Sequence, residues 1–578
     1  MTGVQTCALP IYDGFRDLVF AGAQGAHLFR NLGNGRFEEI ATAFAKASGS
    51  VATADIDDDG YPDLLIGASL WRSDGGNDGG NDGGNKNGFL KVRARGLKDN
   101  RDGIGTKVET QAGDAYQKIE IGGGNGVGQS STEIIFGLGA RKSADFVRFL
   151  WPTGVMQDEI PGAVARVSYQ ELNRKGGSCP LLYAWDGTKF RFLSDIIGAG
   201  VIGEWVEPGV TDTPDPDEYL LAEGAQPRDG RYLFRFTSQM EEVTYLDAAR
   251  LFLVDHPADL MVMPNEGFVV EGPPRPYKIW AVGNAHPVTI SGDSIRKTRF
   301  SGFTPPHSHT LTLQPNDDVL LLYGFTEYYD SSTNYDAFHT GLKPDPPRLD
   351  VPDGHGGWKT AIASMGFPAG LPKWMVVDLK GLLNRADLHG STARVRISTN
   401  MEIYWEKAFA GGAVSDTRVR TTELPPVKAD LRFLGYPREL RRSPESYDYQ
   451  QISKTAPFVR HAGAYTRYGD VTELMQAADD RYAIIASGDE IALEFDATRL
   501  PPLPAGWKRS VIFKAEGFEK GMDYLIPNPF TVGPLPLHDR RQETPAILDY
   551  RLRYNTRVIN RELSHRPDYA WESTWPTR

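Results

Sequence analysis

Asp55, Asp57, Asp59 and Asp63 fall at positions 1, 3, 5 and 9 of a short loop, Asp55-Ile56-Asp57-Asp58-Asp59-Gly60-Tyr61-Pro62-Asp63. A hard cation such as Ca²⁺ takes six to eight oxygen ligands, and this spacing can fold four carboxylates around one point. Gly60, at position 6, supplies a turn that a residue with a Cβ resists. Tyr61, at position 7, offers its backbone carbonyl. Position 12 is Ile66, so the bidentate glutamate of an EF-hand is missing. The flanks Val51–Ala54 and Leu64–Ile66 are β-branched and apolar, the composition of strands rather than helices. The loop is therefore expected to bind calcium structurally between two strands, the alternative being a solvated acidic turn.

A second copy precedes it. Asp13-Gly14-Phe15-Arg16-Asp17-Leu18-Val19-Phe20 repeats Asp59-Gly60-Tyr61-Pro62-Asp63-Leu64-Leu65-Ile66 at an offset of 46 residues, a plausible blade period. Between them, Asn34-Gly35 separates two apolar runs, a strong hairpin signal. These strand–Asp loop–strand units resemble the calcium loops of FG-GAP (VCBS) repeats, the blades of integrin-type β-propellers. The first loop has Leu9 and Ile11 at positions 1 and 3, which cannot ligate calcium. Residues 1–11 resemble the translation of a common sequencing adapter and are excluded from fold reasoning. The native reading then starts near Tyr12, as in a bacterial metagenomic fragment, with upstream blades and a signal peptide lost.

Downstream, an ordered set of motifs runs from Phe89-Leu-Lys91-Val-Arg-Ala-Arg95 through Asn100-Arg-Asp-Gly-Ile-Gly105, Gly122-Gly-Gly-Asn-Gly126 and Phe136-Gly-Leu-Gly139 to Val147-Arg-Phe-Leu-Trp-Pro-Thr-Gly154. Their order and spacing resemble the ASPIC/UnbV domain, which follows FG-GAP repeats in cartilage acidic protein-like proteins. That resemblance implies architecture and brings no catalytic residues. Gly122–Gly126 lacks the following helix and Lys-Ser/Thr of a phosphate loop.

The whole chain is expected to be mostly all-β: partial propeller blades over 12–72, a Gly/Asp/Asn linker over 73–86, and a β-sandwich-like ASPIC/UnbV domain over 87–172. Two β-rich regions, 178–415 and 416–578, complete it with few short helices. Val395, Ile397, Met401, Ile403 and Trp405 predict one apolar face of a long strand, and Val471–Ala478 a short helix. Tyr482–Ala486, Ile491–Phe495 and Val511–Ala515 read as closing strands.

A net charge of −12 and a pI near 5.5 disfavour nucleic acid as a partner and suit cation binding. No run is apolar and long enough to span a membrane. Of two cysteines, Cys7 lies in the adapter-like segment and Cys179 is expected to be a small core residue.

Candidates for other chemistry are weaker. His307 and His309 would share one strand face, as a metal site requires, but Pro305-Pro306 and the lack of a nearby third ligand favour a solvated loop. Asp255-His256-Pro257 reads as a turn. Glu204-Trp205-Val206-Glu207 and Pro214–Glu218 could supply a carboxylate pair for glycoside chemistry, or simply a charged loop. Tyr328–Tyr335 suits either a carbohydrate-binding loop or a capped turn. The expectation is a secreted, periplasmic or cell-surface binding protein whose ligand is a protein or a carbohydrate at the envelope. A carbohydrate-active or secondary-metabolite tailoring enzyme, and a scaffold of an envelope complex, remain as alternatives.

Overall fold

A computed structural model describes residues 4–5, 14–42, 44–73, 87–97, 99–122, 130–153, 156–172, 180–269, 277–327, 329–383, 393–414, 418–523, 525–538 and 544–560. Residues 74–86 of the expected linker, Leu9, Ile11, both cysteines, Gly123–Gly126 and Tyr328 lie outside these residues. The chain divides into two units, Met1–Arg174 and Lys175–Arg578.

The first unit begins with an antiparallel meander of Val4–Gln5, Leu18–Gly22, Gly25–Asn31 and Phe37–Ile40. Gly35, at φ +78°, takes the left-handed turn between the last two strands, as the Asn-Gly pair requires. A second small sheet pairs Val51–Ala54, Asp63–Ile66 and Ser69–Trp71. One apolar cluster joins the two, with Val19, Ala21 and Ala26 from the first sheet and Val51, Leu64 and Ile66 from the second. The equivalent aspartates do the same work in both copies. Asp17 Oδ1 accepts from the Asn31 amide at 2.8 Å, and Asp63 Oδ1 from the Ser73 amide at 3.0 Å.

Residues 88–170 form a sandwich. One sheet has the order Ala115–Glu120, Lys107–Ala112, Phe146–Leu150, Met156–Glu159; the other has Ile134–Gly139, Gly88–Arg95, Arg166–Gln170, the last pair parallel. Leu90, Val92, Val108, Phe136, Phe149 and Trp151 fill the space between them. The buried Trp151 indole donates to Gln157 Oε1 at 3.0 Å, so its polar edge is satisfied.

The second unit contains two further sandwiches. In the first, a sheet ordered Phe190–Asp195, Leu181–Trp185, Arg231–Thr237, Asp489–Asp496, Lys428–Phe433, Gly469–Asp470 faces another ordered Asp217–Leu221, Trp507–Lys520, Val243–Pro257, Arg420–Leu424. Phe234, Phe236, Leu251, Leu431, Leu493 and Phe513 build its core. The second lies within residues 261–413 and packs Met261–Pro264, Ile279–Pro287, Ile403–Ala413, Val319–Thr326, Lys373–Asp378 against Ile290–Gly292, Phe303–Leu313, Ala393–Met401, Arg348–Pro352, Trp358–Ile362.

This corrects the division expected near residue 415. Strands from before 258 and after 419 interleave in the same two sheets, so the 261–413 sandwich is an insertion in the other. The expected long strand through Val395 and Trp405 is also two strands. The chain crosses from one sheet to its opposite at Glu402, so Val395, Ile397 and Met401 belong to one sheet and Ile403 and Trp405 to the other. Glu402 is buried at the crossing, where its Oε1 takes the Lys297 ammonium and the Tyr404 hydroxyl, each at 2.7 Å. The helix expected over 471–478 is a single 3₁₀ turn, Thr472–Met475. Two α-helices occur among the described residues, Ser331–His339 and Pro545–Tyr554. No helix of the described residues is long and apolar enough to cross a membrane.

Candidate metal centre

The Asp55–Asp63 loop joins Val51–Ala54 to Asp63–Ile66, two strands in direct antiparallel register from Val51↔Ile66 to Ala54↔Asp63. Gly60 sits at φ +96° with the Phe89 ring against its α-carbon; a Cβ there would stand 2.1 Å from Phe89 Cζ. Asp58, at φ +61°, also takes the left-handed conformation. These two positive-φ residues curl the loop so that Asp55, Asp57 and Asp59 converge, with ligand oxygens all within 4.8 Å of one another.

Each carboxylate has a distinct environment. Asp55 Oδ2 accepts from the Gly60 amide at 3.0 Å and from Lys91 Nζ at 3.1 Å, while Asp55 Oδ1 is buried without a hydrogen-bond partner. Asp59 Oδ1 accepts from the Tyr61 amide at 2.8 Å. Asp57 pairs with the Arg72 guanidinium. Asp58 shares Lys91 with Asp55 and also pairs with Arg166, and these hydrogen bonds hold its exposed carboxyl below the usual range. Tyr61 lays its ring 6.2 Å from that of Phe89.

Asp63, expected as a fourth ligand, does not join the cluster. Its Oδ2 accepts from the Ile56 amide at 2.9 Å and its Oδ1 from the Ser73 amide. Each oxygen receives a backbone amide that holds the loop closed, and Asp63 is buried at 1% exposure. Sequence reasoning missed Lys91 and Glu133. Lys91 alternates with the exposed Arg93 and Arg95 on its strand, a pattern that predicts an outward side chain. Instead its ammonium is buried among Asp55, Asp58 and Glu133 at 2.9–3.1 Å.

The donor set is all oxygen, and one buried carboxylate oxygen is orphaned inside it. Those two facts fit a hard divalent cation, because an unpaired buried carboxylate oxygen is costly unless a cation or a donor meets it.

The other candidates are placed differently from expectation. His307 and His309 lie on the strand Phe303–Leu313, not in a solvated loop, with ring centroids 5.4 Å apart. Burial pushes both imidazoles below their ordinary pKa. No third acidic, thiol or imidazole ligand joins them among the described residues. Asp255-His256-Pro257 is strand, not turn: Asp255 takes a bidentate grip from Arg509 at 2.6 and 2.8 Å, and the buried His256 bonds Ser510 Oγ at 2.8 Å. Glu218 belongs to no acidic loop. It is buried in a strand with Lys373, 2.9 Å away, and Lys373 also pairs with Asp195. Asp217 binds Lys514 at 2.7 Å, and Glu204 accepts from Ser331. Asp330 is a helix N-cap, accepting from the Thr333 amide at 2.7 Å, so residues 331–335 open a helix rather than a binding loop.

The family comparisons agree with the geometry of the first unit. The model of the FG-GAP-like repeat matches residues 12–66, and the model described as ASPIC and UnbV matches residues 96–167. No curated protein matches the chain. Residues 12–167 thus carry an FG-GAP-like repeat followed by an ASPIC and UnbV domain, ahead of a large β region that these two models do not reach.

Proposed function

We propose that this chain is a calcium-stabilised, multidomain binding protein of the cell exterior or envelope, with Ca²⁺ serving structure rather than chemistry. The observation that carries the calcium reading is the buried, unpartnered Asp55 Oδ1 beside the converging carboxylates of Asp57 and Asp59. Those three side chains would hold the ion, with the Tyr61 carbonyl as a further oxygen ligand and Asp63 as the clamp that shapes the loop. The ion would join the Lys91 and Arg72 cations in balancing the clustered carboxylates and would stiffen a turn between two short strands of a propeller-type blade. Calcium sites in extracellular modules bind on the order of 10⁻⁴–10⁻³ M, a range that suits a protein facing the millimolar Ca²⁺ outside cells. The FG-GAP-like repeat supports a secreted, periplasmic or cell-surface location, and the acidic balance favours a protein or carbohydrate ligand over nucleic acid.

Thermal unfolding with millimolar CaCl₂ against EDTA tests the reading. The unfolding of the first unit should shift upward with Ca²⁺ in the native chain and stay unshifted in Asp57→Ala. Equal shifts in the two proteins would remove the loop as the site.

A further inference from the structure

Three side chains that lie far apart in sequence meet in the second unit. Asp247, Asp480 and His538 bring ligand atoms within 4.8 Å of one another. Asp247 and Asp480 are each placed by an irregularity of the backbone. Asp247 occupies a β-bulge, where the register of Val243–Pro257 against Trp507–Lys520 shifts between Leu246 and Ala248. Before the bulge Tyr245 faces one apolar cluster and Leu246 the other; after it Ala249 and Leu251 take Leu246's side, so parity flips at Asp247. Bulges of this kind re-aim a side chain that regular pleating would send elsewhere. Asp480 stands at φ +66° in the turn before Ala483–Ile485. His538 ends the segment that carries Pro534, Leu535 and Pro536, its ring 5.3 Å from that of Phe518.

The bonding within the cluster is incomplete. Asp480 Oδ1 is well held, by the His538 amide at 3.0 Å, His538 Nδ1 at 2.6 Å and the Tyr482 hydroxyl at 2.7 Å. Asp247 is not. Its Oδ2 accepts from the Asp480 amide at 3.1 Å and lies 4.0 Å from His538 Nδ1. Its Oδ1 is buried with no hydrogen-bond partner, in a residue with 0% exposure. Asparagine would accept the same backbone amides without placing an ionisable carboxyl at this depth. A cation held by both oxygens of the Asp247 carboxylate would give the orphaned Oδ1 its partner.

We infer that Asp247, Asp480 and His538 form a binding site for a divalent first-row transition metal ion. The donor set decides the class. An imidazole nitrogen among the ligands favours zinc, cobalt, iron or manganese over calcium, whose sites are built from oxygen alone. Two carboxylates and a neutral imidazole carry a charge of −2, which one divalent ion balances. The Tyr482 hydroxyl fixes the Asp480 carboxylate from outside, the kind of support that metal ligands need. His538 also lines a cavity of about 700 Å³ walled by Ile202, Phe518, Val532, Leu535 and Leu537. Three protein ligands leave coordination positions open, as sites that receive a small molecule or water do.

The test uses the full chain without a histidine tag, stripped with EDTA, dialysed and titrated with Co²⁺, whose visible d–d absorption reports ligation. The native protein should bind Co²⁺ with visible d–d absorption, and His538→Gln and Asp247→Asn should lose at least about tenfold in affinity. Asparagine at 247 still accepts the Asp480 amide, and residue 538 is partly exposed, so circular dichroism should show native melting of both variants without metal. A native chain with no d–d absorption, or one whose Co²⁺ affinity matches that of His538→Gln, would overturn the assignment.

Discussion

Replacing Asp63 by alanine removes the carboxylate that receives two loop amides, those of Ile56 and Ser73, at 2.9 and 3.0 Å. A hydrogen bond to a charged acceptor is worth about 1.5–3 kcal/mol when buried. These amides are only half-buried, so water recovers part of that, and about 1 kcal/mol each is the reasonable figure. The pair then contributes about 2 kcal/mol to keeping the loop closed, or about a 30-fold shift in the local opening equilibrium. Hydrogen exchange read by mass spectrometry over residues 51–73, with EDTA present throughout, measures this without any contribution from a metal. Asp63→Ala should speed exchange of that segment about 30-fold. Asp57→Ala, whose carboxylate pairs with the Arg72 side chain rather than with a backbone amide, should leave it nearly unchanged in EDTA. Unchanged exchange in Asp63→Ala, or equal acceleration in both variants, would refute the division of labour between clamp and ligand.

Three further outcomes are expected. Gly60→Ala should destabilise the first unit by about 1–3 kcal/mol in chemical denaturation, because the new Cβ meets both a left-handed backbone and the Phe89 ring. Lys373→Met should cost about 3–5 kcal/mol in the second unit, since it strands the buried carboxylates of Asp195 and Glu218; a loss below ~1 kcal/mol on the same denaturation curve would contradict the buried triad. Burial pushes the Lys520 ammonium down to about 8 from an ordinary value near 10.5. The unfolded chain therefore binds more protons than the folded one between those values, and stability should rise with pH across that window. Measured as the difference between the native chain and Lys520→Met, that gain should be visible from pH 8 to pH 10.5, and a flat difference would refute it.

What sequence could deliver depended on how local each signal was. Asn34-Gly35 announces its turn because a left-handed glycine and a side chain that caps its own turn suffice; Asn34 Oδ1 accepts from the Arg36 amide. The convergence of Asp55, Asp57 and Asp59 was legible for the same reason. Asp63 was misread because its spacing suits a ligand equally well as a clamp, and only the positions of the Ile56 and Ser73 amides decide. Lys91 follows an outward-facing alternation, so its burial against the loop had no signal in its own strand. Asp255-His256-Pro257 looked like a turn because its partners Arg509 and Ser510 lie some 250 residues away. The inserted sandwich was invisible for that reason as well: a chain that leaves a sheet near residue 257 and returns near 420 carries no composition shift at either point. The two missed helices did carry a readable signal: Asp330, three residues before the Thr333 amide it caps, and Thr544-Pro545, whose threonine caps the Ile547 amide.

Calorimetric titration of the EDTA-stripped chain with Ca²⁺ tests the central claim most directly, run on the native protein, Asp57→Ala and His538→Gln. The loop account predicts one binding event in the millimolar to submillimolar range for the native chain, the same event in His538→Gln, and its loss in Asp57→Ala. Ca²⁺ binding that survives unchanged in Asp57→Ala would contradict it.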